Sequence, residues 1–525
     1  MKTTCLTARA SLAVVLITFG IFASARTAFA IGFELAPPGA RDTGRAGASA
    51  VGSDTAIGLF YNPATLLAPS SSTDTAIALH VGITDVCFTR RTVLEDGAGM
   101  RSAGPSFAEI CSDAKIAYIP VGASSYRFGR RFALGLGVYS PPAAGRDLGF
   151  GSARTGTPDG RPASSAADLS PSRYMLLGAR ILQTFPTLGA AWAPWARLRL
   201  GASFGWGFTS FRLSTASYSR ALVSTTPVEI GATTDVSTEV TGKDGFTPRV
   251  QAGVWGQPFE SIPLELGLSF TWTGDLEASD AKLRLRNLHT DYYPSGLIGL
   301  VGGVQQPALD ATVRGVHVLV PQISTLQGGA RYAKKLPTPV GRAGDRLASE
   351  QFDVEVDFVA TFAKRLDSID ATLPSDVSVM VPSPSPAFAD IALTLPGKIH
   401  LPHNWQNQYG VRIGGDYNVL PGLLAIRAGY SFESEGVQKG YSQLDFYPHK
   451  RYGLMLGATV RIIDLIDVSI AYAYFITPDV VNSVQDAGLR RTAAGMPRPG
   501  EDEVVNAGRL TQTASSLVLE LGFHL

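Results

Sequence analysis

The sequence predicts an all-β protein: a transmembrane antiparallel β-barrel of about 14 strands, with an N-terminal hatch (plug) inside the lumen. Three observations carry this. Two-faced strands recur along the chain, the connections between them alternate short and long, and one apolar run stands alone at the N-terminus. The stretch QFDVEVDFVATF (Gln351–Phe362) shows the first. Phe352, Val354, Val356 and Phe358 alternate with Asp353, Glu355, Asp357 and Val359, the period-2 pattern of a strand with one apolar and one charged face. A soluble sheet turns such an apolar face to a core, and a membrane barrel turns it to lipid.

The elements follow in chain order. Lys2 and Arg9 precede an apolar run, Ser11–Ala25, and "AFA" (Ala28–Ala30) is a small-x-small cleavage signal, so residues 1–30 read as a signal peptide and the mature chain is expected to begin at Ile31. Residues 31–74 are rich in small residues, alternate little and are too apolar for a solvated linker. A compact hatch accounts for both facts. From 75 to 525 the alternation is sustained. Ile77, Leu79, Val81 and Ile83 share one face, as do Phe132, Leu134, Leu136 and Val138. Leu264, Leu266, Leu268, Phe270 and Trp272 share another, and Leu517, Leu519 and Leu521 close the chain.

The connections sort by length. Short ones lie near 128–131, 193–197, 258–263, 419–422 and 463–467, with a medium one at 336–350. Long Pro/Ser/Gly-rich ones lie near 88–114, 140–172, 212–245, 278–325, 367–406, 433–449 and 477–514. Short turns at one end and long loops at the other are the signature of an outer-membrane barrel, and a soluble sandwich has no reason to sort its loops this way. Phe352, Val354 and Val356 are therefore expected to face lipid, and Asp353, Glu355 and Asp357 the lumen. The expected place is the outer membrane of a Gram-negative bacterium, crossed many times after signal-peptide removal.

Composition narrows the function. The chain is 45% hydrophobic and 17% charged, with a formal charge of +1. Lys2, Arg9 and Arg26 are the only charges in residues 1–30, so the rest carries 1 − 3 = −2. That balance gives no support to nucleic-acid binding. Of three cysteines, Cys5 lies in the signal, leaving Cys87 and Cys111 as one disulfide or two buried thiols. Catalytic motifs fail on context. Gly201–Gly205 reads G-x-S-x-G, but Ser203 sits in an alternating strand and not at a strand-to-helix elbow. His400 and His403 in "HLPH" have no metal-ligand set beside them in sequence. No catalytic residue, metal or cofactor is expected.

Several segments resemble the FadL-type outer-membrane transporters of long-chain fatty acids, a family that includes aromatic-hydrocarbon and toluene uptake channels. Gly32-Phe33, "GRAGASA" (Gly44–Ala50), Asp54 and above all "NPA" (Asn62-Pro63-Ala64) are similar to the family's hatch. "LGLGVYSPP" (Leu134–Pro142), "PTLGAAW" (Pro186–Trp192) and "IRAGYSFES" (Ile426–Ser434) resemble its barrel segments. The chain departs from the family in ending on Leu525 and not an aromatic, with Phe523 close by. The resemblance implies uptake of hydrophobic small molecules, long-chain fatty acids first. Capture falls to outer loops, passage to a hatch gated by Ile31, Gly32, Phe33, Asn62, Pro63 and Ala64, and release to a sideways gap near the third strand. It also implies a monomer.

The residues add their own detail. Asn62-Pro63 sets a rigid turn, either pressing the hatch against the wall or simply preceding strand one. Gly135 and Gly137 either loosen the third strand or make room for the hatch. Leu297, Ile298, Leu300 and Val301, followed by Val316–Val320, place an apolar stretch in a long outer segment, which reads as a substrate groove or as residues packed under their own loop. Arg41 and Arg45 in the hatch suit the lumenal Asp353, Glu355, Asp357, Arg412, Asp416, Arg427 and Arg461 as a polar network, the alternative being a solvated channel lining. Expected partners are the lipid bilayer and lipopolysaccharide, the outer-membrane assembly machinery and the hydrophobic cargo. The competing functions are a general or aromatic-hydrocarbon porin and an enzymatic or structural barrel without transport.

Overall fold

A computed structural model describes residues 37–96, 98–112, 116–141, 147–150, 170–217, 236–287, 310–341, 344–374, 377–381, 391–395, 397–490 and 504–525. The signal peptide, the gating residues Ile31, Gly32 and Phe33, and the groove residues Leu297, Ile298, Leu300 and Val301 lie outside the described residues.

Fourteen antiparallel strands form the wall. They are β1 (Thr73–Glu95), β2 (Ala117–Phe128), β3 (Phe132–Tyr139), β4 (Gly178–Trp195) and β5 (Leu198–Ser217). Next come β6 (Val236–Gly256), β7 (Leu264–Thr273), β8 (Ser324–Lys335), β9 (Glu350–Phe362) and β10 (Gln408–Leu420). The last four are β11 (Leu424–Glu433), β12 (Arg451–Ile463), β13 (Ile466–Ile476) and β14 (Gly508–His524). Each pairs with its sequence neighbour, and β1 closes on β14 from Asp74↔His524 to Arg90↔Gly508. Closure of β1 on β14 pairs the first and last strands and so removes the two terminal edges of the sheet, as a wall in hydrocarbon requires. No helix among the described residues is long and apolar enough to cross a membrane.

From Asp353 to Phe358 the stretch Gln351–Phe362 sorts as its alternation predicts, while Phe352, expected to face lipid, is only partly exposed. Val354, Val356 and Phe358 are about half exposed on the outside, while Asp353, Glu355 and Asp357 are buried inside. A belt of exposed Leu, Val, Ile and aromatic side chains continues around the exterior, including Leu79, Leu134, Leu188, Phe204, Leu268, Ile426, Leu456 and Leu519. On β5 it runs from Leu200 to Phe208, close to the roughly 9–11 residues a tilted strand needs to span a bilayer.

The outer loops differ from expectation. The stretches read from sequence as long loops at 88–114, 212–245, 278–325, 367–406 and 477–514 contain much strand. β1, β5, β6 and β14 run on outward, and Leu276–Asn287, Asp310–Val320, Ser368–Thr372 and Lys398–Pro402 pair onto them as a tower. In the tower the alternation changes sense. On β5, Phe204, Trp206 and Phe208 face outward, but above them Phe211 is buried inside and Arg212 faces out. β1 does the same between outward Ile83 and inward Val86 and Phe88. On β1 the ladder to β14 passes this point without a shift, and opposite Gly207–Thr209 of β5 the partner β6 carries one extra residue; along both β1 and β5 the inside and outside positions keep their alternation and only the chemistry of the two faces is exchanged. The physical reason is solvent: the outside of the strand passes from hydrocarbon to water. Weak composition signals hid these strands, since Ser, Gly and Pro are common there.

The disulfide left open by the sequence is formed. Cys87 and Cys111 are directly opposed in the ladder between β1 and the two-residue strand Ile110–Cys111, and their sulfurs are bonded. It staples the first outer connection to the tower wall.

Candidate functional site: hatch, chamber and wall

Inside the ring, the described part of the N-terminal segment folds as a short helix, α1 (Ala40–Gly44), and two 3₁₀ turns, Ala56–Phe60 and Pro63–Leu67. Nearly every residue from Pro37 to Leu67 is buried. The segment is held differently on its two sides.

Around α1 the fastening is ionic. Arg45 bonds Asp353 (2.8 Å), Glu355 (2.9 Å) and Asp416 (2.6 Å), joining the hatch to β9 and β10. Arg41 pairs with Asp467 on β13 and Asp54 in the hatch, and lies 3.8 Å from Glu520 on β14. Backbone amides complete the set. Ser49 and Ala50 donate to Asp357 (2.9 and 3.0 Å), Val51 to Glu355 (2.8 Å) and Ala40 to Glu520 (2.6 Å). Arg427 pairs with Asp416 (2.7 Å), and Arg461 with Asp467 (2.8 Å) and Asp345. Arg412 reaches the Gly47 carbonyl at 3.5 Å and Glu433 at 3.9 Å. Such buried charges persist only when paired, and removing one partner costs roughly 3–5 kcal/mol.

Around the 3₁₀ turns the fastening is steric. Asn62 is fully buried. Its Oδ1 accepts from Ala64 N (3.1 Å), capping the second turn with Pro63 in first position, and its Nδ2 donates to the carbonyls of Ala50 (2.8 Å) and Val254 on β6 (3.0 Å). Gly253 lies directly under Asn62 and Gly201 under the Pro63–Ala64 peptide, so that a Cβ at either would overlap the hatch. Gly135 faces Leu66 and Gly137 faces Phe60 in the same way. These glycines of the third strand therefore make room for the hatch. Ile57, Leu59, Phe60 and Leu66 pack with Val121, Tyr139, Phe185 and Ala191 of β2–β4 as one apolar cluster.

Above the hatch lies a small polar space of about 90 Å³, bounded by Phe60, Tyr61, Arg249, Gln251, Arg412 and Arg451. Higher, inside the tower, is an apolar chamber of about 580 Å³. Leu176, Phe211, Leu213, Leu283, Leu285 and Ile369 line it, drawn from the two largest apolar clusters of the tower. Val318, from the apolar stretch 316–320 singled out in the sequence, is also on its wall. The basic side chains at its edge are engaged: Lys398 and the His400 ring with Asp370, and Arg490 with Glu95 at 3.8 Å.

The wall changes at β3. β2 pairs with β3 only up to Gly122↔Val138, and β3 with β4 only up to Tyr139↔Phe185. Beyond, the chain runs Ser140-Pro141, and proline has no N–H to donate. Ala117–Val121 of β2, at the level of the apolar belt, are paired on the β1 side alone among the described residues. Inside this point Phe60 stacks on Tyr139 (5.2 Å), Tyr139 on Phe185 (6.5 Å), and the Arg249 guanidinium lies 4.8 Å from the Tyr139 ring.

Sequence reasoning missed several fasteners. Arg331 on β8, fully buried, joins Glu265 (3.1 Å), Glu350 and Asp353 (2.7 Å), yet its strand alternates poorly. Asp467 falls at the end of the short connection expected at 463–467, and Glu520 is one acid between the apolar Leu519 and Leu521, so neither stands out in the sequence. Ser203 sits mid-strand on β5, facing the lumen. His400 and His403 do find carboxylates, Asp370 and Asp445 (2.7 and 2.8 Å), but from remote segments. Among the described residues the only potential three-donor metal group is Asp85 with Cys87 and Cys111, whose sulfurs are bonded to each other.

No family model and no curated protein matches the sequence. Solved structures do. The chain superposes on a Pseudomonas aeruginosa FadL homologue with a TM-score of 0.66 at 14% identity, covering 94% of this chain and 99% of that one. The Pseudomonas putida toluene transporter TodX gives 0.56 at 17% identity, with 94% and 99% covered. CymD, a monoaromatic hydrocarbon channel, gives 0.51 at 13% identity, with 95% and 99% covered. By fold, the chain is a FadL-type barrel: fourteen closed strands with an N-terminal segment seated in the lumen.

Proposed function

We propose that the protein takes hydrophobic small molecules across the outer membrane, long-chain fatty acids first among them. The observation that carries this reading is the 580 Å³ apolar chamber in the outer tower, standing over a lumen filled by a charged, fastened hatch. An apolar solute gains about 25 cal/mol for each Å² it removes from water, which a chamber of leucines and valines offers and a wet channel does not. A hydrophilic porin has no use for such a chamber.

From the chamber the cargo descends to the space above the hatch and leaves through the interrupted wall at β3, into the hydrocarbon beside it. The fastening favours this sideways exit. Expelling the hatch would break the Arg45 and Arg41 pairs together, a cost far above that of parting strands that share no ladder there among the described residues. Residues Ile31–Phe33, ahead of the fastened part, keep the gating role.

A second reading has its own support. The basic side chains at the chamber's edge are already paired, so a neutral aromatic hydrocarbon meets no penalty that a carboxylate escapes. The test is uptake of labelled long-chain fatty acid and of labelled toluene by cells lacking their own transporter, with insertion of the barrel confirmed. Fatty-acid uptake supports the first reading, toluene uptake alone the second. Neither, with the barrel inserted, removes both.

A further inference from the structure

We infer that the outer wall of β5, β6 and the adjoining tower strands is a docking face for the phosphates of an anionic glycolipid in the outer leaflet. This face is on the exterior and does not depend on the uptake reading.

The register places the cations. Arg212 on β5 is directly opposite Thr241 on β6, which is opposite Lys282 on the strand Leu276–Asn287. Arg314 follows on the next strand, whose ladder runs from Ala281↔Val316 to Leu283↔Val313. Lys243 stands two residues below Thr241, opposite Ser210. Directly opposed residues share a face, and their sequence neighbours Phe211, Ala281, Leu283 and Val313 are buried inside, so these four cations point outward together. At about 4.8 Å between strands, they cover a band roughly 15 Å wide.

The height is set by the reversal of the two faces described above. Trp206, Phe208 and Phe246 form an exposed aromatic girdle (Trp206–Phe246 centroids 4.7 Å), and the cations begin immediately above it. Aromatic girdles mark the boundary between hydrocarbon and headgroups. A cation at that height meets phosphate, and arginine binds phosphate oxygens in a two-pronged fashion.

The pairing is distinctive too. Several other exposed cations of the outer rim have carboxylates: Arg509 has Asp479 (2.5 Å), Lys439 has Asp486 (3.0 Å) and Arg365 has Asp275 (2.8 Å). Among the described residues, no carboxylate lies within ion-pair distance of Lys243, Lys282 or Arg314, and Arg212 has only Glu239 at 3.8 Å. Nearby carboxylates are mostly engaged elsewhere: Asp310 with Arg284, Glu277 with His317 (2.7 Å), and Glu239 with Arg286 as well (3.8 Å). Asp280, exposed, borders the face. Clustered basic residues at a membrane surface with no internal partner are the arrangement that holds anionic lipid.

The test compares barrels purified from outer membranes by gel filtration, counting glycolipid phosphate retained per chain. The variant Arg212→Gln/Lys243→Gln/Lys282→Gln/Arg314→Gln is expected to retain at least about fivefold less than the natural chain. A control, Arg365→Gln/Lys439→Gln/Arg509→Gln, removes three paired cations and is expected to retain as much as the natural chain. Equal retention by the first variant, or an equal loss in the control, overturns the inference. A second measurement needs no variant: the natural chain in detergent is offered a bis-phosphorylated glucosamine disaccharide lipid or its dephosphorylated form. Salt-sensitive preference for the phosphorylated lipid is expected, and equal binding of the two contradicts the docking face.

Discussion

The membrane zone and the outer tower are built from the same strands with opposite faces. Within the bilayer β5 shows Phe204, Trp206 and Phe208 to lipid and Ser203, Gly205 and Gly207 to the lumen. A few residues higher it shows Arg212 outward and Phe211 and Leu213 inward. The lower lumen is thereby polar and suited to gripping a charged hatch, while the upper lumen is apolar and suited to a hydrophobic cargo. The difference teaches that a barrel needs no second domain to hold a greasy site above a polar seal. It needs strands long enough to leave the membrane.

The sharpest way to break the comparison is to attack the seal. Arg45→Ala leaves Asp353 and Glu355 buried with one cation fewer, at a cost of roughly 3–5 kcal/mol. The hatch is expected to loosen while the barrel persists. Planar-bilayer conductance would rise and the segment 37–72 would become open to protease. A closed, protease-resistant variant would mean that the ionic fastening is redundant.

Next is the belt. Leu79→Arg, outward within the bilayer, is expected to cost about 2–4 kcal/mol in refolding titrations. Arg212→Leu, on the same outer surface above the reversal, should change stability by less than about 0.5 kcal/mol. Equal costs would place the reversal at the wrong height. A smaller effect, roughly 1–3 kcal/mol, is expected of Asn62→Ala, which orphans the carbonyls of Ala50 and Val254. It should raise amide exchange in Asn62–Leu67 more than around α1, because Asn62 caps the second turn while α1 is held by the ion pairs of Arg41 and Arg45.

The smallest effect lies in the tower. His403 is buried against Asp445 (2.8 Å), with its other ring nitrogen 3.0 Å from the Leu401 carbonyl. Burial alone would lower its pKa, but Asp445 and the Leu401 carbonyl outweigh it, so the ring's pKa stands above the ordinary imidazole value. A raised folded pKa gives stability that is fully present below the unfolded pKa and lost as pH rises through the folded one. The connection carrying Asp445 should therefore exchange its amides faster on the alkaline side, after correction for intrinsic exchange. His403→Phe should remove that extra dependence.

Much of this was legible in the sequence because lipid imposes a strict code. Alternation identifies the membrane strands, and residue type identifies Arg41 and Arg45 as fit partners for lumenal acids. The tower was not legible, because reversing the two faces along one strand looks like a loop when Ser, Gly and Pro dilute it. The seat of the hatch was only half legible. Gly201 and Gly253 look like weak strand positions until Pro63 and Asn62 are seen lying on them, a constraint set by residues more than a hundred positions away. Arg331 carried no signal, since one arginine in a poorly alternating strand does not reveal that three carboxylates surround it.

The central claim is that cargo leaves sideways while the body of the hatch stays in place. Leu66→Cys with Gly135→Cys sets two thiols where the Leu66 side chain now covers Gly135, so that oxidation ties the hatch to β3. Uptake of labelled long-chain fatty acid and of labelled toluene would be compared in oxidised and reduced cells, with the natural chain as the control for Cys87–Cys111. Unimpaired uptake with the hatch tied is the predicted result. Uptake lost on oxidation and restored by reductant, in this variant alone, would show that the hatch body must move and would contradict the account.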